Sequence, residues 1–148
     1  VLQLTALELV RSPSDIYRLQ TEQIASILKS ATKNPNCNKV MLGKFSRLTN
    51  EVSYNRAAGT EYTFYELDNW DDLFNLIGGN DTEMWRLNEF FIKEQFSKGK
   101  IFFFSHDPNF PSGNSYPKEI KLLRDIVSDK YKKTAIFIKD GELWRLSW

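Results

Sequence analysis

The chain has 148 residues, and its 20 lysines and arginines nearly cancel 19 aspartates and glutamates, leaving a net charge of +1. That length suits one main core with a small appendage, and the charge balance excludes the global basic field that advertises many nucleic-acid binders, so any polyanion site must be local. No window reaches the roughly 18 apolar residues that span a bilayer, no basic-then-apolar signal sequence is present, and a single cysteine, Cys37 in the turn-forming "NPNCNK", excludes an intrachain disulfide or a cysteine-rich zinc motif.

Taken in chain order, the first 34 residues read as a helical lead-in. Ser12 and Pro13 suit a helix start, and Thr21 suits the cap of a second helix in which Ile24, Ile27, Leu28 and Ala31 make one apolar stripe. From Lys39 the texture changes to short apolar strands separated by amphipathic helices. "KVMLGKF", "YTFYEL" and "KIFFFS" read as strands, and "TAIFIKDGELWRLSW" reads as a hairpin turning at Asp140-Gly141. Helices are expected near Val52–Ala58, from Asn69, over Thr82–Phe96 and over Pro117–Ser128. The alternation predicts an α/β domain over residues 35–148, with a small mixed sheet, flanking helices and a C-terminal β-hairpin.

The only histidine, His106, follows the apolar run Ile101–Phe104 in "KIFFFSHDP". A buried strand there would deliver Ser105, His106 and Asp107 at its carboxyl end, where open α/β sheets form their ligand crevices. An imidazole suits proton transfer near neutrality, and Asp107 or another carboxylate can orient it. The plain alternative is a loop histidine with its hydrogen bonds satisfied. Gly43-Lys44 closes the first strand, so if the two strands are parallel, Lys44 and His106 leave the sheet along the same edge. A lysine stabilising phosphate charge beside a proton-moving histidine suits phosphoryl chemistry. Neither GxxxxGK[ST] nor GxGxxG is present, which argues against nucleoside-triphosphate and dinucleotide folds.

Ser53, Tyr54 and Arg56 stand at the start of a short helix, where phosphate contacts or base stacking are expected, against a bland alternative of a core-edge tyrosine and a solvated arginine. Trp85 and Asn88 can present one polar-aromatic spot, although most of their helix reads as core packing. Lys93, Lys98, Lys100, Lys118, Lys121 and Arg124 offer local positive charge for RNA or an ordinary solvated face. Asp107 with Glu119 and Lys121 also spells a D-x(n)-E-x-K string of the restriction-nuclease kind, but with the E-x-K on a helix instead of a strand.

Five segments, "KVMLGKFS", "SYNRAAGTEYTFYELDNWDDL", "EMWRLNEFFIKEQFSKGKIFFFSHDP", "SYPKEIKLL" and "GELWRL", in this order, resemble the C-terminal toxin domains of contact-dependent growth inhibition proteins and related polymorphic bacterial toxins. The resemblance covers most of Lys39–Trp148. It implies an antibacterial domain released from a large secreted cell-surface protein into the cytoplasm of a neighbouring cell. It further implies cleavage of tRNA, a cognate immunity protein and, in some members, an elongation factor such as Tu that presents the tRNA. The family's G-K, S-Y and S-H positions fall on Gly43-Lys44, Ser53-Tyr54 and Ser105-His106, and Phe45 stands where many members have tyrosine.

Joined to the residue reading, this leads to the expectation of a metal-independent ribonuclease without a cofactor. His106 is the general acid or base, Lys44 the charge stabiliser, and Tyr54 or Ser105 a phosphate or ribose contact; Ser53, Arg56, Trp85, Asp107 and Glu119 are candidate substrate contacts. A metal-dependent DNase built on Asp107 and Glu119, and a non-catalytic binding module with an aromatic surface, are the alternatives.

Overall fold

In the computed structural model, which describes residues 19–148, the order of elements is α1 (Thr21–Ala31), β1 (Thr32–Lys33), β2 (Lys39–Leu42), α2 (Tyr54–Ala58), β3 (Phe64–Tyr65), α3 (Trp70–Leu76), α4 (Asp81–Ser97), β4 (Ile101–Phe104), α5 (Tyr116–Tyr131), β5 (Ile136–Asp140) and β6 (Leu143–Ser147). Strands β1 and β3 form a two-stranded sheet, and the other four form a sheet in the order β2-β4-β6-β5. The fold is therefore α/β with a small mixed sheet: β2 and β4 run parallel, while β4-β6 and β5-β6 are antiparallel. The helix expected at Ser12 lies outside the described residues.

The chain forms two compact units. One joins the described residues up to Lys33 with Tyr65–Phe91, and the other joins Asn34–Phe64 with Ile92–Trp148. The chain passes between the units after Lys33, after Phe64 and after Phe91.

In the first unit, α1 buries Ile24, Ile27, Leu28 and Ala31, the stripe read from their spacing. Its cap differs from expectation: the helix begins at Thr21, and Gln20 precedes it, with the Gln20 amide donating to Gln23 Oε1 at 2.7 Å. Leu73, Ile77, Met84, Leu87 and Phe91 are buried in the same unit. Buried Glu83 accepts the Leu19 amide at 2.8 Å and pairs with Arg86 at 3.2 Å, so its charge is compensated where solvent is excluded.

The second unit holds the four-stranded sheet. Bounded by Gly99 and the polar "SHD", the β-favouring run Ile101–Phe104 is too short for a helix and buries its last three residues. The parallel register pairs Lys39 with Ile101 through Leu42 with Phe104. Successive side chains point to opposite faces, so Met41 and Phe103 share one face, where they pack with Ala58, Phe64, Tyr54 and Tyr62. Phe102 and Phe104 take the other, where Phe104 meets Phe137 edge-on at 5.2 Å and Tyr116 of α5 at 6.5 Å. Helix α5 buries Ile120, Leu123 and Val127. In the terminal hairpin, Asp140 pairs with Leu143, so the two-residue turn is Gly141-Glu142, one residue later than Asp140-Gly141. Gly141 takes φ +65° at the first turn position, a conformation that glycine adopts without cost.

Candidate active site

Because β2 and β4 are parallel and end level at Leu42 and Phe104, Gly43-Lys44 and Ser105-His106 leave the sheet side by side. The Ser105 amide extends the ladder by donating to Leu42 O at 3.0 Å. One residue on, the Lys44 amide donates to His106 Nδ1 at 3.1 Å. Ser105 Oγ lies 2.8 Å from the same nitrogen and 3.4 Å from Leu42 O. A backbone amide can only donate, so Nδ1 is an acceptor and neutral His106 carries its proton on Nε2. Burial holds the imidazole below its usual pKa of 6.5, the nearby Lys44 charge acts in the same direction, and a backbone hydrogen bond with Val52 acts against both.

This close approach requires glycine at position 43. A Cβ there would overlap Ser105 Oγ and stand 2.9 Å from His106 Nδ1 and 3.1 Å from Tyr54 Cβ. The His106 carbonyl is held in turn by the Tyr116 hydroxyl, which donates to it at 2.6 Å. Burial, with the charges of Glu119 and Asp107 adding to it, pushes the Tyr116 phenol far above its ordinary pKa, so it stays a donor. Lys44 is exposed, and its ammonium donates to Ser112 Oγ at 3.0 Å, which brings the loop after β4 to the same place.

Other predicted contacts serve the loops. Ser53 is buried, accepts the Ser46 amide at 2.9 Å and donates to Asn55 Oδ1 at 2.6 Å. Its helix has only five residues, too short for the anion site expected at its start. Arg56 donates to the carbonyls of Ser46, Leu48 and Glu51 at 2.8, 2.7 and 2.7 Å, tying down the loop instead of offering its guanidinium to phosphate. Tyr54 donates its amide to Lys44 O at 3.0 Å and sets its ring edge-on against Phe64, 6.1 Å away. Asp107 accepts the Asn109 amide and side chain at 2.9 and 3.1 Å, so the Lys44 amide, not this carboxylate, orients His106. Trp85 is half-buried on the part of α4 that belongs to the first unit.

Glu119 is buried on α5, whereas Lys121 is exposed and pairs with Asp125 at 2.7 Å, so the E-x-K string does not converge. No cluster of three or more His, Cys, Asp or Glu side chains suited to a metal ion occurs among the described residues. Of the cations considered for RNA, Lys98 pairs with Glu94 at 3.1 Å, Lys100 donates to Pro35 O at 2.8 Å, and Arg124 lies over the Phe137 ring at 4.9 Å.

Sequence reasoning missed Ser112, Tyr116 as the holder of His106, and the steric demand at Gly43. The quoted "SYPKEI" carries the only available signal for Tyr116, an aromatic residue in the first turn of a helix that follows a polar loop.

Comparison with protein families, with curated proteins and with solved structures gave no match. The geometry must carry the functional reading. A hydroxyl and an imidazole within hydrogen-bond reach, beside an exposed ammonium at the carboxyl ends of parallel strands, can take up a proton while stabilising new negative charge. No helix among the described residues is long and apolar enough to cross a membrane.

Proposed function

We propose that this chain is an antibacterial toxin domain that acts as an endoribonuclease on tRNA, delivered into a target cell as part of a larger secreted cell-surface protein and neutralised in the producer by a cognate immunity protein. The observation that carries the nuclease reading is the joining of Lys44, Ser105 and His106 by the Lys44 amide to Nδ1 contact, 3.1 Å, and the Ser105 to Nδ1 contact, 2.8 Å. The resemblance of the ordered segments to contact-dependent growth inhibition toxins supports the biological setting.

In this reading a substrate ribose 2′-hydroxyl gives its proton to Ser105 Oγ as the serine proton passes to His106 Nδ1, whose single lone pair lets go of the Lys44 amide to take it. The 2′-oxygen bonds to phosphorus, the bond from phosphorus to the 5′-oxygen breaks, the leaving oxygen takes a proton from solvent, and His106 returns the proton on Nδ1 to solvent and closes again on the Lys44 amide. The products are a 2′,3′-cyclic phosphate and a 5′-hydroxyl. Lys44 stabilises the added charge on the phosphoryl oxygens. A small net charge gives weak long-range attraction to RNA, which supports presentation of the tRNA by elongation factor Tu.

The deciding experiment is cleavage of total bacterial tRNA in EDTA, with elongation factor Tu and GTP supplied, by wild type and His106→Ala. Discrete wild-type fragments should fall by roughly 100- to 10,000-fold in rate in the variant. Full cleavage by His106→Ala would remove the imidazole from the mechanism. The exposed rings of Phe45 and Phe110 also suit a non-catalytic binding module; intact tRNA in every lane would favour that reading.

A further inference from the structure

Six aromatic side chains are exposed among the described residues: Phe45, Trp70, Phe90, Phe110, Tyr131 and Trp148. Four of them are already engaged. Trp70 stacks on Phe74 at 4.7 Å, Tyr131 and Trp148 stack on each other at 5.0 Å, and Arg86 lies over Phe90 at 5.4 Å. Phe45 and Phe110 remain, 54% and 82% exposed.

Their positions are not arbitrary. Phe45 directly follows Lys44, and Phe110 lies two residues before Ser112, which the Lys44 ammonium contacts at 3.0 Å. Each ring is carried by a braced loop. Arg56 holds the carbonyls of Ser46, Leu48 and Glu51 beyond Phe45, and a turn closed by Asp107 O and the Phe110 amide at 3.3 Å fixes the base of Phe110. The acidic groups on these loops are occupied, Asp107 by Asn109 and Glu51 by the Ser46 hydroxyl at 3.2 Å, while Arg47, two residues after Phe45, is exposed. An exposed ammonium with one open ring on the next residue, and another on the loop it contacts through Ser112, complements a ligand that alternates flat apolar groups with negative charge.

We propose that Phe45 and Phe110 are stacking platforms for nucleobases on either side of the phosphate held by Lys44, so that the substrate is RNA with unpaired bases at the cleavage point. This rests on the ribonuclease reading of the same site. A base inside a duplex offers no free face to a phenyl ring, whereas an unpaired loop can splay two neighbouring bases onto separate rings. The rings read no sequence by themselves, since every base has a face to stack.

The test uses the whole chain and fluorescently labelled 2′-O-methyl oligoribonucleotides, which cannot react through the blocked 2′-oxygen, so that anisotropy reports binding without cleavage. Single-stranded probe should bind and its duplex should bind far more weakly. Phe45→Ala and Phe110→Ala should each weaken single-strand binding about 5- to 150-fold, and the leucine variants, which keep an apolar side chain without a ring, should recover only part of that loss. The salt slope of log K should be unchanged in the phenylalanine variants and shallower by roughly 0.7 in Lys44→Met. Equal binding of single strand and duplex, unchanged binding by both alanine variants, or no binding by the wild type would each overturn the proposal; unchanged binding would point to a protein partner for these rings. Cleavage of tRNA by a wild type whose phenylalanine variants bind normally removes the platforms and leaves the nuclease standing. Binding lost in the variants, without cleavage by the wild type, does the reverse.

Discussion

The Lys44 amide and His106 Nδ1, 3.1 Å apart, fix both the orientation and the resting protonation state of the chain's single histidine. Protonating Nδ1 would set its new hydrogen against an amide hydrogen, and burial and the Lys44 charge oppose the cation as well. The folded-state pKa is therefore below 6.5. Between that value and 6.5 the unfolded chain binds more protons than the folded one, so stability rises with pH across this window, is fully present above 6.5 and is lost as pH falls toward the folded value.

One histidine gives one imidazole Hε1 resonance, so the pKa can be read directly by NMR titration. The midpoint should lie below 6.5 and move up toward it in Lys44→Met, because one of the two effects lowering it is removed. The acid limb of the cleavage profile should move the same way. A wild-type midpoint at or above 6.5 would contradict the geometry assigned to Nδ1.

Gly43→Ala tests how closely the two strand ends must approach. The new methyl group would overlap Ser105 Oγ and crowd His106 Nδ1 and Tyr54 Cβ. Chemical denaturation should show a loss of about 1–3 kcal/mol, the usual cost of overpacking. Adding Ser105→Ala removes the first atom met, so the double variant should be more stable than additivity allows while remaining inactive. Strict additivity in that cycle would mean that the serine is not what the methyl group strikes.

Much of this arrangement was legible because strand ends are local signals. The run Ile101–Phe104 between Gly99 and Ser105, and Lys39–Leu42 before Gly43, mark two short buried strands, and a parallel pairing of the two necessarily brings Lys44 and His106 to one edge. What pattern cannot reveal is which polar groups a loop consumes. Ser53, Arg56 and Asp107 have the residue types of phosphate or proton ligands, yet Ser46, three loop carbonyls and Asn109 occupy them. Those partners depend on loop paths that carry no periodicity. The return of Tyr65–Phe91 to the unit of the first helix is equally invisible, since it rests on contacts distant in sequence. "YTFYEL" shortens to a two-residue strand after Thr63, which exchanges hydrogen bonds with Lys39 and Met41 through an isolated bridge to β2.

Arg56 is expected to matter for loop order more than for charge. Its three carbonyl partners span Ser46–Glu51, and no shorter or uncharged side chain can hold all of them. Arg56→Met should leave the sheet intact by circular dichroism while exposing the loop, so that trypsin cuts after Arg47 markedly faster than in the wild type. Arg56→Lys should fall between the two. Equal cutting rates across the three proteins would show that the loop is held by other contacts.

Tyr116 is the link between α5 and the histidine, since its hydroxyl reaches the His106 carbonyl at 2.6 Å and its ring lies edge-on to the imidazole with centroids 6.2 Å apart. Tyr116→Phe keeps the ring and deletes the one donor, leaving the carbonyl to find another. The expected loss is about 0.5–1.5 kcal/mol of stability, the ordinary net value of one hydrogen bond. If the phenol also fixes where the histidine stands, cleavage should fall by about fivefold with little change in KM, because a positioning defect of roughly 1 kcal/mol acts on the transition state and not on binding. The titration of His106 separates the two roles: a purely structural bond leaves its midpoint in place, whereas a displaced imidazole loosens its contact with the Lys44 amide and titrates closer to 6.5. A Tyr116→Phe protein with wild-type stability, rate and midpoint would detach the helix from the site altogether.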